Sequence, residues 1–377
     1  MIIELVEELN SNRTTLEDIP SSIMCNILSR LPTKACLNRK IVCKDWYKII
    51  TGSEFAHFRS SCSYFFVLLY GKLDNKRKDF LLLDLDRSLK VDEMGNLCVS
   101  DDSLIRFKSI VNTPHDDLYV VNECNGVICL KSWGQWSPYI VCNLLTSQQV
   151  IVEQFREPSC SVEVYGLGCC PVSNQFKVVR ILKTMESYRC IAEIQTLGTN
   201  KWRTVGDAPT FQLRKSGAFL HSSLHRYSYR DNCLWSFHFG TEKFSLVPVP
   251  DDMKKELYTE VSVFNSCLCF SSMSENCSQC EIWLMKEYGV KDSWVKQYVF
   301  QVDSHRMPLL QLDTGETLVS YRNGVRLGVC DGESGKCKRV QVLGLSSYKV
   351  VACANKFCKV EQFDYFELSK NGIILEF

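Results

Sequence analysis

The sequence lacks the features of three protein classes. No apolar run approaches the roughly 18 residues that a membrane helix needs, and MIIELVEELNSNR at the N-terminus is acidic where a signal peptide is basic. Lys+Arg 44 against Asp+Glu 43 leaves a net charge of +1, which gives nucleic-acid binding no bulk electrostatic support. We therefore expect a soluble protein of the cytoplasm and/or nucleus, with no nucleic-acid and no membrane partner.

Catalytic and metal-binding motifs are also missing. The chain has no G-x-S-x-G, no P-loop and no H-E-x-x-H sequence. Cys277 and Cys280 form a C-x-x-C, but no second pair stands at the spacing that a zinc site needs. We expect no catalytic residue, no metal and no other cofactor.

Cysteine, by contrast, is abundant. The chain has 21 cysteines, an odd number, and no secretory signal. In a reducing compartment such residues act mostly as small buried hydrophobic side chains. We expect reduced thiols.

Residues 16–58 predict three short helices. Ile23, Ile27 and Leu31 recur at i, i+4 and i+8 after a proline that suits a helix start, and Leu28 widens their stripe. The first helix ends at Pro32. The second runs from position 33 to 37, and the third runs from about 38 to 51. Before them, residues 1–15 read as a short amphipathic helix and a polar linker.

The stretch VCKDWYKII at 42–50 carries two patterns. Val42, Trp46 and Ile49 recur at helical spacing, and lysines stand at 40, 44 and 48. A few apolar residues at such spacing are usually core, and a row of lysines is usually a solvated face. The lysines could also meet an acidic partner surface.

From residue 62 to 377 the chain is rich in short β-type segments separated by polar turns. A strand–turn–strand signature recurs in CNLLTSQQVIV, CCPVSNQFKVV, IQTLGTNKWRTV, FHFGTEKFSLVPV and CDGESGKCKRV. The turns at Thr199, Thr241 and Ser334 lie 42 and 93 residues apart, close to one and two units of roughly 45 residues. The period predicts a β-propeller of about six to eight irregular blades, which leaves only short strand edges. A β-sandwich, with fewer strands, is the alternative.

The helical segment resembles the F-box motif. The pattern consists of Ile19-Pro20, Ile27-Leu28, an RLP at 30–32, and VCKDW at 42–46 followed by a pair of isoleucines. The resemblance implies a unit that docks on a Skp-family adaptor, which connects to a cullin scaffold in an SCF-type ubiquitin ligase. The residues it assigns to adaptor binding are Ile19, Pro20, Ile23, Ile27, Leu28, Leu31, Pro32, Val42, Trp46 and Ile49.

The remainder is similar to the plant F-box-associated interaction domain, which is propeller-like. CNGVICL at 124–130, GLGCCPVSNQFKVVRI at 166–181, TNKWR at 199–203 and EIWLMKEYGVKDSWVKQYVF at 281–300 carry the resemblance. Two phrases depart from it, CNLLTSQ near residue 142 and GAFLHSSLHRY near residue 225. The implied role is a non-catalytic substrate-recognition subunit that holds an unknown target protein.

Candidate target contacts are Trp133 and Trp136 in SWGQWSPY, and His225 and Arg226 in HSSLHRYSYRD. Aromatic and arginine side chains in surface loops are typical interface anchors. The two tryptophans could equally pack between blades. Other classes stay open: an F-box scaffold that acts outside a ligase, and an enzyme built on a propeller.

Overall fold

The computed structural model describes most of the chain in two compact units, one within residues 1–63 and one mainly from residue 64 onward. The described residues are 19–31, 33–39, 43–60, 65–73, 77–84, 89–91, 97–99, 104–107, 118–132, 136–146, 148–154, 159–210, 217–229, 231–250, 259–274, 278–301, 305–312, 314–321, 326–342 and 347–354. The helix expected in residues 1–15 lies outside them. Among the described helices, none is long and apolar enough to span a membrane.

The first unit is helical. Its described helices are α1 (Ser21–Ser29), α2 (Thr33–Arg39), α3 (Lys44–Ile50) and α4 (Ser53–Ser60). The predicted third helix is shorter than expected, because Cys43 has extended backbone and its Sγ caps α3 by accepting the Trp46 N–H at 3.4 Å. Helix α4 was not predicted, since its sequence has little apolar periodicity.

The four helices share one small core. It consists of Met24, Cys25, Leu28, Cys36, Leu37, Ile50 and Phe55, all buried. Helices of seven to nine residues are marginal alone, so this packing is what stabilises them.

The second unit contains short antiparallel strands grouped in six sheets among the described residues, here called blades. Blade 1 holds β1 (Phe65–Leu73), β2 (Arg77–Asp84), β5 (Leu104–Phe107) and the last strand, β26 (Ser347–Ala354). Blade 2 holds β6 (Leu118–Cys124), β7 (Val127–Ser132), β8 (Tyr139–Asn143) and β9 (Gln148–Val152). Blade 3 holds β10 (Cys160–Cys169), β11 (Phe176–Thr184), β12 (Cys190–Thr196) and β13 (Arg203–Asp207).

The other three blades continue the series. Blade 4 holds β14 (Ala218–Leu220), β15 (Ser223–Ser228), β16 (Cys233–His238) and β17 (Lys243–Val247). Blade 5 holds β18 (Glu260–Phe264), β19 (Cys267–Met273), β20 (Gln279–Met285) and β21 (Trp294–Gln301). Blade 6 holds β22 (Arg306–Gln311), β23 (Thr317–Tyr321), β24 (Leu327–Cys330) and β25 (Cys337–Val342), joined by β4 (Leu97–Val99) and β3 (Leu89–Val91).

The blades close into a ring, which confirms the propeller prediction. The first strands of blades 2 and 3, of blades 4 and 5, and of blades 5 and 6 contact each other, and β10 of blade 3 contacts β15 of blade 4. The last strand, β26, contacts both β22 and β6. Closure depends on pairing between distant segments, because β26 runs antiparallel to β1 with Leu68 opposite Val351. A ring of this kind leaves no long open edge.

The recurring turns predicted from the sequence occupy the same place in three blades. The turns at Thr199, Thr241 and Ser334 join the third and fourth strands of blades 3, 4 and 6. The period alone suggested about seven blades. The described residues form six blades because the β3–β4 hairpin does not form a blade of its own. Strand β4 pairs in parallel with β25, so the hairpin extends blade 6.

The hydrophobic core lies between neighbouring blades. One cluster joins Leu81 of blade 1 to Leu318 of blade 6, and another joins Leu234 of blade 4 to Phe270 of blade 5. The two phrases that depart from the family pattern also form regular strands here, in β8 and in the β14–β15 hairpin. Each blade is therefore stabilised mainly by its neighbours in the ring.

Polar contacts also cross between blades. Asn122 of blade 2 donates from Nδ2 to the Leu167 carbonyl and accepts the Leu167 N–H at Oδ1, both at 2.8 Å. Lys177 of blade 3 pairs with Glu242 of blade 4 at 2.9 Å, and Arg203 reaches the same carboxylate.

One cysteine pair departs from the expectation of reduced thiols. Cys330 and Cys337 lie directly opposite each other on β24 and β25, with Cα atoms 4.0 Å apart, and form a disulfide. Direct opposition across an antiparallel pair brings two side chains close together, a juxtaposition that composition cannot predict. Other described cysteines, such as Cys129 and Cys142, are buried free thiols, and burial raises the pKa of both.

Candidate functional site

Helix α1 presents two different apolar faces. Met24, Cys25 and Leu28 are buried in the helical core, whereas Ile23 is 53% exposed and Ile27 is 49% exposed. Positions 23 and 27 are one turn apart, so the two isoleucines share a side of the helix. A short helix with one apolar face buried and a second one in solvent is built to contact something else.

Helix α3 also carries apolar and charged groups that are exposed or half-buried. Trp46 and Ile49 are half-buried, and Lys44 is exposed. Lys48 pairs loosely with Asp45 at 3.6 Å, and both side chains are mostly in solvent. The predicted lysine row is thus solvated at 44 and 48, and Lys40 lies outside the described residues.

The predicted adaptor-binding residues do not all share this surface. Ile19 and Leu31 are half-buried, and Pro20 is exposed at the start of α1. Leu28 is only 2% exposed and faces the helical core, so it does not belong to the exposed face of α1. Pro32 and Val42 lie outside the described residues.

The corner between α1 and α2 contains two residues that the motif did not single out. Arg59 of α4 donates to the carbonyls of Ser29 and Leu31 at 3.0 and 2.6 Å. The Cys36 thiol donates to Leu28 O and Leu31 O at 3.2 and 3.4 Å. Burial raises the pKa of Cys36 to about 11, so it remains a thiol and a donor. Neither residue carries a periodic sequence signal.

The propeller candidates lie in two places. Trp133 lies outside the described residues, and Trp136 packs against Cys160 and Val162, between blades 2 and 3. Arg180 stands 5.9 Å from the Trp136 ring centroid. Trp136 therefore packs between blades, which was the alternative to its role as a target contact.

Arg180 is the centre of this inter-blade cluster, and no sequence pattern marked it. It is 2% exposed, pairs with Glu193 at 2.7 Å, and lies 4.4 Å from the Trp202 ring centroid. The neighbouring Lys131 donates to Ser137 O at 2.8 Å. Burial lowers the pKa of Lys131 to about 8. Arg180 beside the Trp136 ring thus links blade 3 to blade 2, whereas the hydrogen bond of Lys131 stays within blade 2.

His225 and Arg226 were expected in a surface loop, and that placement was wrong. Both lie in strand β15, His225 is 0% exposed, and half-buried Arg226 pairs with Trp235 across the sheet.

An exposed aromatic pair covers His225. The hydroxyl of Tyr288 lies 2.8 Å from His225 Nε2, and the Tyr288 ring is 4.9 Å from the ring of exposed His221. His225 Nδ1 lies 3.1 Å from the Ala218 carbonyl. Burial lowers the pKa of His225 to about 4, so the ring is neutral at pH 7 and supports Tyr288 without adding charge. Among the described residues no cluster of His, Cys, Asp or Glu could hold a metal ion.

The fold and this surface define a class: a small helical unit with an exposed apolar face, followed by a closed propeller. The F-box domain model matches residues 16–58, and the model of the F-box associated beta propeller domain matches residues 82–366. The chain therefore belongs to the F-box proteins that carry an F-box-associated β-propeller. The resemblance stated from the sequence is confirmed for both domains.

The chain is similar to F-box proteins from Arabidopsis thaliana. The F-box protein At3g07870 is 28% identical over 321 residues, which cover 75% of this chain and 72% of the relative. The F-box/kelch-repeat protein At3g23880 is 22% identical and covers 86% of this chain and 91% of the relative. The F-box protein CPR1 is 24% identical over 86% of this chain and 84% of its own length.

Proposed function

We propose that this chain is the substrate-recognition subunit of an SCF-type ubiquitin ligase. The helical unit binds a Skp-family adaptor, the adaptor connects it to a cullin scaffold, and the propeller holds a target protein. We expect the protein in the cytoplasm and/or nucleus, where such a ligase would act.

The observation that carries the proposal is the exposed face of α1. Ile23 and Ile27 keep about half of their surface in solvent, although Met24 and Leu28 of the same helix are buried in the core. Complete burial of an isoleucine side chain contributes roughly 1.5–3 kcal/mol, so covering both residues favours association. A short apolar helix received by a groove on the partner is a common recognition mode.

The proposed adaptor surface keeps the predicted residues except Leu28. It consists of Ile19, Pro20, Ile23, Ile27, Leu31, Pro32, Val42, Trp46 and Ile49. Leu28 supports it from the core.

The protein itself carries out no bond chemistry in this role. It brings a target lysine close to an activated ubiquitin thioester, so it acts by raising effective concentration. For the target side we propose the pair His221 and Tyr288, alongside the predicted Trp133 and Arg226. His225 takes a supporting role, because its hydrogen bond orders the Tyr288 ring before binding.

The test is a calorimetric titration of the full-length chain with a purified Skp-family adaptor. The variant is Ile23→Ser with Ile27→Ser. The matched control is Ile151→Ser, since Ile151 of the propeller is 47% exposed, close to the 49% of Ile27. We expect the double variant to bind at least tenfold more weakly, because each lost contact contributes about 1 kcal/mol or more, and the control to bind as the wild type does.

Two outcomes count against the proposal. A folded wild-type chain that does not bind the adaptor removes the ligase role, and equal binding by the double variant removes this surface. A further measurement addresses the scaffold alternative: co-elution of chain, adaptor and cullin in gel filtration. If adaptor binds but cullin does not join, the chain acts outside the ligase.

A further inference from the structure

The α1–α2 corner is tied to α4 by one buried side chain. Arg59 is 1% exposed and donates from Nη1 to the carbonyls of Ser29 and Leu31. Its Nη2 donates to Thr33 Oγ1 at 2.6 Å. A single guanidinium therefore joins the end of α1, the corner itself and the first residue of α2.

The corner needs a group of this kind. The last carbonyls of a helix have no partner within the helix and carry the negative end of its dipole, so a cation is favourable there. Arginine offers five N–H donors in a fixed plane, whereas lysine offers a single nitrogen. Only the planar group can reach a carbonyl of α1 and the hydroxyl of Thr33 from opposite ends at once.

Because these hydrogen bonds are buried, losing them would be costly in free energy. Ser29 and Thr33 are 6% and 2% exposed, so water has little access to groups that lose their partner there. Leaving a buried polar group unsatisfied costs about 1–3 kcal/mol. Cys36 supports the same carbonyl, that of Leu31, from the other side. The backbone at the corner is thus determined from both α2 and α4.

We propose that Arg59 is a positioning residue for adaptor binding. It is buried and so makes no contact with the adaptor itself, but it fixes the angle between α1 and α2. That angle sets where Leu31 lies relative to Ile23 and Ile27, and hence whether all three enter one groove. This inference rests on the proposed function, since it names a residue that prepares the same site.

The experiment titrates the full-length chain with purified adaptor. Arg59→Met keeps most of the side-chain length and removes every donor, Arg59→Lys keeps the charge and one nitrogen, and Thr33→Val removes one acceptor. Arg189→Met is the matched control, because Arg189 forms an exposed ion pair with Asp207 in the propeller. We expect affinity to fall at least tenfold in Arg59→Met and by less in Arg59→Lys and Thr33→Val. The control should not change.

Hydrogen exchange of the free chain separates positioning from folding. The Leu31 amide donates to Leu28 O at 3.2 Å, so it reports on the corner, and the Met24 amide, which donates to Pro20 O at 3.0 Å, reports on the start of α1. In Arg59→Met we expect faster exchange at Leu31 with Met24 still protected.

The failures are distinguishable. If the wild type binds and Arg59→Met binds equally well, the positioning role is overturned and the proposed function stands. If Met24 also loses protection, Arg59 holds α1 together and positioning is overturned. If the wild type does not bind, the proposed function falls first, and the role of Arg59 in adaptor binding falls with it.

Discussion

The two units manage their apolar surface in opposite ways. The propeller closes on itself: β26 pairs with β1, and its cores lie between blades. The helical unit buries one face of α1 and leaves Ile23 and Ile27 in solvent. A closed ring gains its stability internally, whereas the described helices of the first unit leave apolar surface that a partner could cover, as the proposed function requires. The comparison teaches where a substitution should affect folding and where it should affect binding.

The largest expected effect breaks the propeller alone. Phe239 is fully buried between blades 3 and 4, so close to Gly168 that a Cβ there would lie 2.0 Å from its ring. Phe239→Ala should lower the free energy of unfolding of the propeller by about 3–5 kcal/mol, because it leaves a cavity. Urea denaturation measures this, with Val172→Ala, at an 89% exposed position, as the control.

The same variant also tests whether the units are independent. Adaptor affinity of Phe239→Ala, measured where the propeller is still folded, should match the wild type. Weaker adaptor binding would mean that the propeller contributes to the adaptor site.

The next prediction sharpens the comparison within α1. Leu28→Ala should lower the free energy of unfolding of the helical unit by about 2–5 kcal/mol, since Leu28 is a core residue. Ile27→Ala, at the neighbouring position, should change stability little and weaken adaptor binding. Hydrogen exchange of α1 and adaptor titration would show the contrast. Similar behaviour of the two variants would contradict the two-faced description of the helix.

A third prediction concerns pH. The pKa of His225 is lowered by burial from 6.5 to about 4, so between these pH values the unfolded chain binds more protons than the native one. Above about pH 6.5 the ring is neutral in both states. Below that, its contribution to propeller stability, roughly 3 kcal/mol, should be lost progressively towards pH 4.

The measurement is urea denaturation of wild type and His225→Gln at pH 7.5, 6 and 5. Other groups titrate in both proteins, so the difference between the two curves is the quantity of interest. Wild type should lose more stability than the variant as pH falls. Parallel pH profiles would mean that His225 titrates normally.

The smallest expected effect is at the exposed pair of Asp45 and Lys48. Both side chains are mostly in solvent at a separation of 3.6 Å, so Asp45→Asn should leave stability almost unchanged. If adaptor affinity of Asp45→Asn depends on salt in a way that the wild type's does not, the lysines of α3 take part in binding. Equal salt dependence would leave them as a solvated face.

The sequence predicted the parts of this molecule that local chemistry determines. Turns rich in Thr, Ser, Asn and Gly gave the strand pairs and their period, and Ile23 and Ile27 were correctly seen as a helical stripe. The burial of Leu28 beside the exposed Ile27 was not predicted, because two adjacent apolar residues do not reveal which one faces the core.

Contacts between segments that are distant in the sequence could not be predicted from local sequence patterns. The core beside Leu28 is completed by Phe55 of α4, a helix with little periodicity, and Arg59 acts on residues almost thirty positions earlier. The burial of His225 depends on Tyr288, which lies 63 residues later in the chain. The pairing of β4 with β25 also joins opposite parts of the sequence.

The pairing of β26 with β1 has a consequence during protein synthesis. The strand that completes blade 1 is translated hundreds of residues after its partner, so a nascent chain must wait with β1 unpaired on one side until β26 leaves the ribosome. The helical unit is finished early, so its exposed α1 face is present throughout that interval. Under the proposed function, assembly with the adaptor can therefore begin on polysomes, before the ring that would hold the target has closed.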